Sequence, residues 1–173
     1  MGSVVDRRVV SVSPDRSHAP QVNPLPVGDP RIERFLLGRS RAEGVFQDFT
    51  GRIRRRFAIG LDGRMDDGAL VLSEDFLFDD GATEQRVWRI TPIGADAYTA
   101  NADDMIGEAR GAVRGGVLRW SYLFSLKLGA RRMRVRFHDT FVQTAEDTLL
   151  NVARVTKFGF ELGRSTLIFR REA

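Results

Sequence analysis

The chain contains no cysteine among its 173 residues. That excludes a disulfide framework, a thiolate nucleophile and any Cys-ligated metal. A bacterial lipoprotein carries a Cys at its processed N-terminus, so that form of anchoring is not expected. Lysine is nearly absent: Lys127 and Lys157 are the only two, and arginine carries almost all the positive charge. Of the two histidines, His18 and His138, only the second falls in a patterned segment, which leaves a His-based metal or haem site without support. No apolar run is long enough to span a bilayer, and no N-terminal apolar segment resembles an export signal. A cytoplasmic protein is therefore the expectation. No phosphate-cradling glycine loop, nucleotide fingerprint or nucleophile elbow is present. No cofactor is expected.

What the chain does have is alternation. Leu118, Trp120, Tyr122, Phe124, Leu126 and Leu128 occupy every second position, with Arg119, Ser121, Ser125 and Lys127 between them. A period of two sends these sets to opposite faces of a strand. The same signature returns from about Gly44 to the C-terminus, and turn residues separate its segments. The spacing predicts strands over 41–49, 52–60, 69–78, 84–91, 97–102, 106–113, 117–128, 131–139, 149–156 and 165–171, with a further short segment at 141–143. Asp62-Gly63 reads as the hairpin turn after the second strand. About ten strands with short connections predict an all-β fold: an antiparallel, up-and-down, lipocalin-like (calycin-type) barrel. Asp29-Pro30 reads as the start of a short helix ending at Gly38, with Ile32, Phe35 and Leu36 on one side, suited to plugging a barrel end. Residues 1–29, with Pro14, Pro20, Pro24 and Pro26, read as an extended or disordered arm, and residues 30–173 as one barrel domain.

The informative positions are charges that alternation places among apolar side chains. Arg55 shares a face with Ile53, Phe57 and Ile59. Glu74 shares one with Leu70, Leu72, Phe76 and Phe78, and Arg86 shares one with Trp88 and Ile90. Each charge alone would be costly to bury, so pairing or a wet cavity is expected. One reading is a structural Arg55–Glu74 or Arg86–Glu74 pair that fixes strand register. The other is an inward arginine that receives a ligand carboxylate or phosphate, for which a planar guanidinium is suited, with Glu74 orienting it. Trp88, Trp120, Tyr122, Phe57 and Phe76 would then be core or, around an open lumen, ligand-binding walls. His138 and Asp139 point to opposite faces and cannot form a simple dyad, so His138 is expected at the rim or outside. Asp103-Asp104 has the look of a metal pair, but its turn context favours bonds to the backbone. Net charge is +4, and Arg132, Arg134 and Arg136 form a stripe on one strand face. No helix-turn-helix, zinc-finger or RNP-like pattern accompanies the stripe, which argues against nucleic acid.

An ordered string of motifs also carries a resemblance. It comprises Gly44-Val-Phe46-Gln-Asp48, Arg55-Arg56-Phe57, Leu72-Ser-Glu74-Asp75-Phe76, Asp80-Gly81 and Arg86-Val87-Trp88. It continues through Ala102-Asp103-Asp104-Met-Ile106-Gly107, Leu150-Asn151-Val-Ala153, Thr156-Lys157-Phe158-Gly159 and the closing stretch from Thr166 to Arg171. Together these resemble the bacterial domain-of-unknown-function family 3833. The resemblance implies a lipocalin-like barrel. It implies little about activity, although members tend to lie near genes for fatty-acid modification, and many look like exported lipoproteins. The leading expectation is thus binding of a small apolar or fatty-acyl ligand with an acidic head group, in the service of lipid modification. Two alternatives stay open. One is an enzyme in which Glu74 is catalytic and moves a proton on the bound lipid. The other is a filled-core module that docks on a partner lipid-modifying enzyme or an anionic membrane surface.

Overall fold

A computed structural model describes residues 30–128 and 131–172. The expected arm at 1–29 lies outside the described residues. One helical turn, α1 (Ile32–Phe35), precedes ten strands: β1 (Gly38–Asp48), β2 (Ile53–Asp66), β3 (Ala69–Phe78), β4 (Thr83–Ile93), β5 (Ala97–Ala102), β6 (Met105–Arg114), β7 (Val117–Leu128), β8 (Arg131–Ala145), β9 (Thr148–Lys157) and β10 (Phe160–Arg171). Each strand pairs antiparallel with its sequence neighbour. β10 then pairs with β1, from Ser40 opposite Arg171 to Asp48 opposite Gly163, and this closes the barrel. The short segment expected at 141–143 is the continuation of β8 rather than a separate element.

Alternation selects the interior as expected. Ile59 and Leu61, Leu70 and Leu72, Trp88 and Ile90, Leu118 and Trp120 all sit in one buried cluster. A second, smaller cluster of Phe124, Val135 and Val155 lies toward the other end, joined by Phe46, Phe137 and Leu162.

Helix α1 is shorter than the sequence suggested, and its N-cap is Arg31 rather than Asp29. The turn is held by Arg31 and Ile32 carbonyls, which accept from the amides of Phe35 and Leu36 at 2.9 Å. So short a helix has almost no stability of its own and depends on packing. Ile32, Phe35 and Leu36 provide that packing by filling the barrel end, where each is buried. A polar latch assists. The Tyr98 hydroxyl donates to Glu33 at 2.7 Å, and Arg31 pairs with the same carboxylate at 2.7 Å. Burial pushes the Glu33 carboxyl up, but the Tyr98 hydroxyl and Arg31 outweigh it, and the group rests below its ordinary range.

The expected hairpin at Asp62-Gly63 is corrected. β2 runs straight through it and turns five residues later at Asp67-Gly68, where both residues take positive φ, 48° and 74°. Both pairs have Asp-Gly chemistry, so local preference does not choose between them. The plug does. A Cβ on Gly63 would overlap the Leu36 carbonyl oxygen and lie 3.2 Å from Leu70 Cδ1. Gly63 is thus a point of close approach that lets α1 seat inside the barrel. Gly63→Ala is expected to cost about 1–3 kcal/mol through overpacking, read as a lower urea midpoint. Gly60→Ala, on the same strand with open space around its Cβ, should be neutral. Equal behaviour of the two would remove this account of the plug.

Candidate functional site

Inside the barrel lies a cavity of about 150 Å³, floored by Ile32 and Leu36 of α1. Its walls are mostly aromatic and aliphatic, and polar groups enter from three directions. β3 and β4 set Glu74 directly opposite Arg86 in register. The Trp88 indole N–H donates to Glu74 Oε2 at 3.0 Å, and an Arg86 terminal nitrogen stands 3.8 Å from the same oxygen. The guanidinium lies over the rings of Phe124 and Phe76, 4.5 and 5.1 Å from their centroids. Its Nε–H is buried and has no acceptor.

Across the lumen, β8 presents Asp139, and Asn151 of β9 donates to it at 3.1 Å. Tyr122 of β7 stands between the two groups. Its ring stacks on Phe137 at 5.2 Å and meets Trp88 edge-on at 5.4 Å.

Electrostatics follow from burial. Desolvation raises the Asp139 carboxyl to about 6, against hydrogen bonding from Asn151 and Tyr122 and with a small push from the Glu74 charge. Burial also raises Glu74, opposed by Arg86 and Trp88. The Tyr122 phenol is pushed well above its ordinary value, first by burial and then by the neighbouring Asp139. Glu74 thus has the Arg86 guanidinium beside it, whereas Asp139 is held by the neutral Asn151 and Tyr122 side chains and takes up a proton as pH falls through about 6.

Of the residues singled out from sequence, Glu74, Arg86, Trp88, Trp120, Tyr122, Phe57 and Phe76 all line this cavity. Arg55 does not. It shares the inward face, but its guanidinium sits 3.5 Å over Phe78 and 3.3 Å from Asp80 at the barrel end opposite α1. The Arg55–Glu74 pairing is thus not formed, because the β3–β4 turn offers Arg55 a nearer carboxylate and a ring to lie on. Asp139 and Asn151 are site residues not singled out from sequence. Alternation places Asn151 between Leu149 and Ala153 and Asp139 between Phe137 and Phe141, the same polar-among-apolar signature that marks Glu74.

Outside the cavity the remaining candidates behave as structural groups. His138 faces outward beside the Thr156 hydroxyl at 3.3 Å, its pKa lowered by burial and by Arg154 and Arg136. Asp104 pairs with Arg132 at 3.0 Å, and among the described residues no cluster of His, Asp or Glu could hold a metal ion. Arg134 and Arg136 are exposed on the outer wall. No described helix is long and apolar enough to cross a membrane.

Comparison with known proteins adds the family. The model described as "Protein of unknown function (DUF3833)" matches residues 27–171. The chain belongs to this family. Among solved structures, the DUF3833 barrel is similar to the S-type phycobiliprotein lyase from Guillardia theta. The TM-score is 0.61 at 9% identity, over 82% of this chain and 90% of that one. It is also similar to a DUF3598-family protein of unknown function from Nostoc punctiforme PCC 73102, with a TM-score of 0.59 at 18% identity. That match covers 84% of the DUF3833 chain but spans only 51% of the other. Identities this low establish a shared lipocalin-like fold and nothing of chemistry. No curated protein matches the DUF3833 chain by sequence.

Proposed function

We propose that the barrel binds a small, mainly apolar molecule, an acyl lipid or a relative of one, whose carboxylate or carbonyl oxygen is received by Arg86. The observation that carries this reading is the buried Arg86 Nε–H, which lacks an acceptor in a wall made mostly of rings and aliphatic chains. A buried donor left unmade costs about 1–3 kcal/mol. An oxygen from an occupant removes that cost. The likeness to a protein named as a phycobiliprotein lyase supports small-ligand holding at the level of fold. The volume bounds the occupant. About 150 Å³ is roughly what encloses a benzene-sized group. A long chain therefore seats its polar end and first carbons here and runs out toward Phe57, Phe76 and Phe137. A barrel of this kind serves lipid modification by presenting a shielded acyl group to a modifying enzyme.

Native mass spectrometry of the full chain, followed by extraction of bound molecules, tests occupancy. Titration with a medium-chain carboxylic acid and with the matching alcohol tests the anchor. Arg86→Gln is expected to weaken the acid about ten- to a hundredfold and the alcohol little. Acid binding should also tighten as pH falls through about 6, where Asp139 takes up its proton. An apo mass together with no binding of either probe sinks the reading. Equal weakening of acid and alcohol sinks the arginine anchor alone.

A further inference from the structure

At the barrel end opposite α1, the β1–β2 turn and the β9–β10 turn lie side by side, joined by a hydrogen bond from the Phe49 amide to the Leu162 carbonyl at 3.1 Å. Three phenylalanines stand out from them into solvent: Phe49 is 75% exposed, Phe158 90% and Phe160 77%. No other large apolar side chain among the described residues is as exposed as any of these three. Phe158 adds a second, independent observation. It sits at the tip of its turn with φ +52°, followed by Gly159 at +86°. A bulky aromatic residue is strained in that region, where Asn or Gly would sit without cost. The fold thus holds an aromatic ring in a costly backbone conformation without burying it in return.

The charges beside the rings point to the occupant. The two turns and their flanks carry Arg52, Arg54, Lys157 and Arg164 against Asp48 and Glu161. Asp48 is taken up by the Thr50 and Arg52 amides and Arg54, and Glu161 by Arg164 at 2.7 Å. Arg52 and Lys157 make no ion pair among the described residues, and the Lys157 ammonium lies 5.5 Å from the Phe158 ring centroid. Rings on protruding hairpin tips, with two cations beside them that no carboxylate takes up, match the interfacial layer of an anionic bilayer. There apolar bodies enter the acyl boundary and cations meet headgroups.

We infer that this rim is a membrane-docking surface, in which Phe49, Phe158 and Phe160 insert into an anionic lipid bilayer and Arg52 and Lys157 contact its headgroups. The inference stands on the rim alone and does not depend on what the cavity holds. It sets the barrel end that lacks the α1 plug against the lipid. The smaller apolar cluster of Phe124, Val135 and Val155 lies directly behind that surface.

The test is co-sedimentation of the full chain with vesicles of phosphatidylcholine alone and of phosphatidylcholine mixed with phosphatidylglycerol. Binding is expected to the mixed vesicles, weaker in high salt, and weak or absent with phosphatidylcholine alone. Phe158→Asn turns the tip into Asn-Gly, which suits its backbone, so this variant should fold at least as well as the parent. Combined with Phe160→Thr, it should lower vesicle affinity about tenfold or more. Arg134→Ala/Arg136→Ala on the outer wall should leave binding unchanged. Failure to bind mixed vesicles, or binding indifferent to the phenylalanine changes, overturns the inference. So does a dimer in vesicle-free solution that Phe158→Asn/Phe160→Thr dissociates, since the rings would then belong to a contact between two copies.

Discussion

Replacing Glu74 by Ala lowers the stability of the barrel by about 3–5 kcal/mol. The effect is large because of what remains. Arg86 keeps its guanidinium in a wall of Phe76 and Phe124 rings, with its Nε–H already lacking an acceptor. Arginine does not shed its proton in proteins, so the charge is not neutralised. The Trp88 indole N–H loses its acceptor in the same step. The reverse deletion is milder. In Arg86→Met the carboxyl left behind is already raised by burial, and it takes up a proton. The cost of Arg86→Met should therefore shrink as pH falls, while that of Glu74→Ala should not. The double change Glu74→Gln/Arg86→Met should recover most of the loss, as buried ion pairs commonly do when both members go. Urea denaturation at two pH values reads all three variants. A loss below about 1 kcal/mol for Glu74→Ala would falsify the view that this pair is buried and coupled.

Asp139→Asn has the opposite sign: it stabilises the protein by about 3 kcal/mol at pH 8 and changes nothing near pH 3. The folded carboxyl titrates at about 6 against an ordinary 3.8. Below about 3.8 both folded and unfolded chains hold the proton. Between the two values only the folded chain holds it, so stability falls as pH rises. Above about 6 the folded state carries the full cost of a buried charge. Asparagine removes that cost and still offers an oxygen to the Asn151 amide, which donates here at 3.1 Å. The difference between parent and variant, measured by urea midpoint across this range, isolates the group from every other titration. A difference that does not vary with pH would mean that Asp139 is solvated and unperturbed.

The barrel was legible because alternation is a local signal repeated ten times. Leu118 through Leu126 and Leu70 through Phe78 declare their inner faces without reference to any partner strand. The same signal brought Glu74, Arg86, Trp88 and Tyr122 to the lumen. It stops at facing and says nothing of distance along the barrel axis. Arg55 and Glu74 share the inward side, yet Arg55 belongs to the far end with Asp80. Turn position was illegible for a related reason. Asp62-Gly63 and Asp67-Gly68 are equivalent as turn chemistry, and only the Leu36 carbonyl, delivered by a segment more than 20 residues earlier, decides between them. Adjacency to His138 makes Asp139 look like half of a failed dyad and hides its membership of the polar group inside. The cavity is a small difference between large packed volumes, and no one-dimensional pattern encodes it.

The seam between β1 and β10 has a consequence for how the chain is made. Every other pairing joins strands adjacent in sequence, but this one joins the first strand to the last. During synthesis β1 through β9 can form as a curved ribbon whose two outer strands, β1 and β9, present unpaired amides and carbonyls. Those edges persist until β10 has left the ribosome and zips both at once. A nascent or truncated chain lacking β10 is therefore a two-edged, apolar-faced sheet, the species most prone to pair with copies of itself. The last strand is the one on which solubility of the whole chain depends.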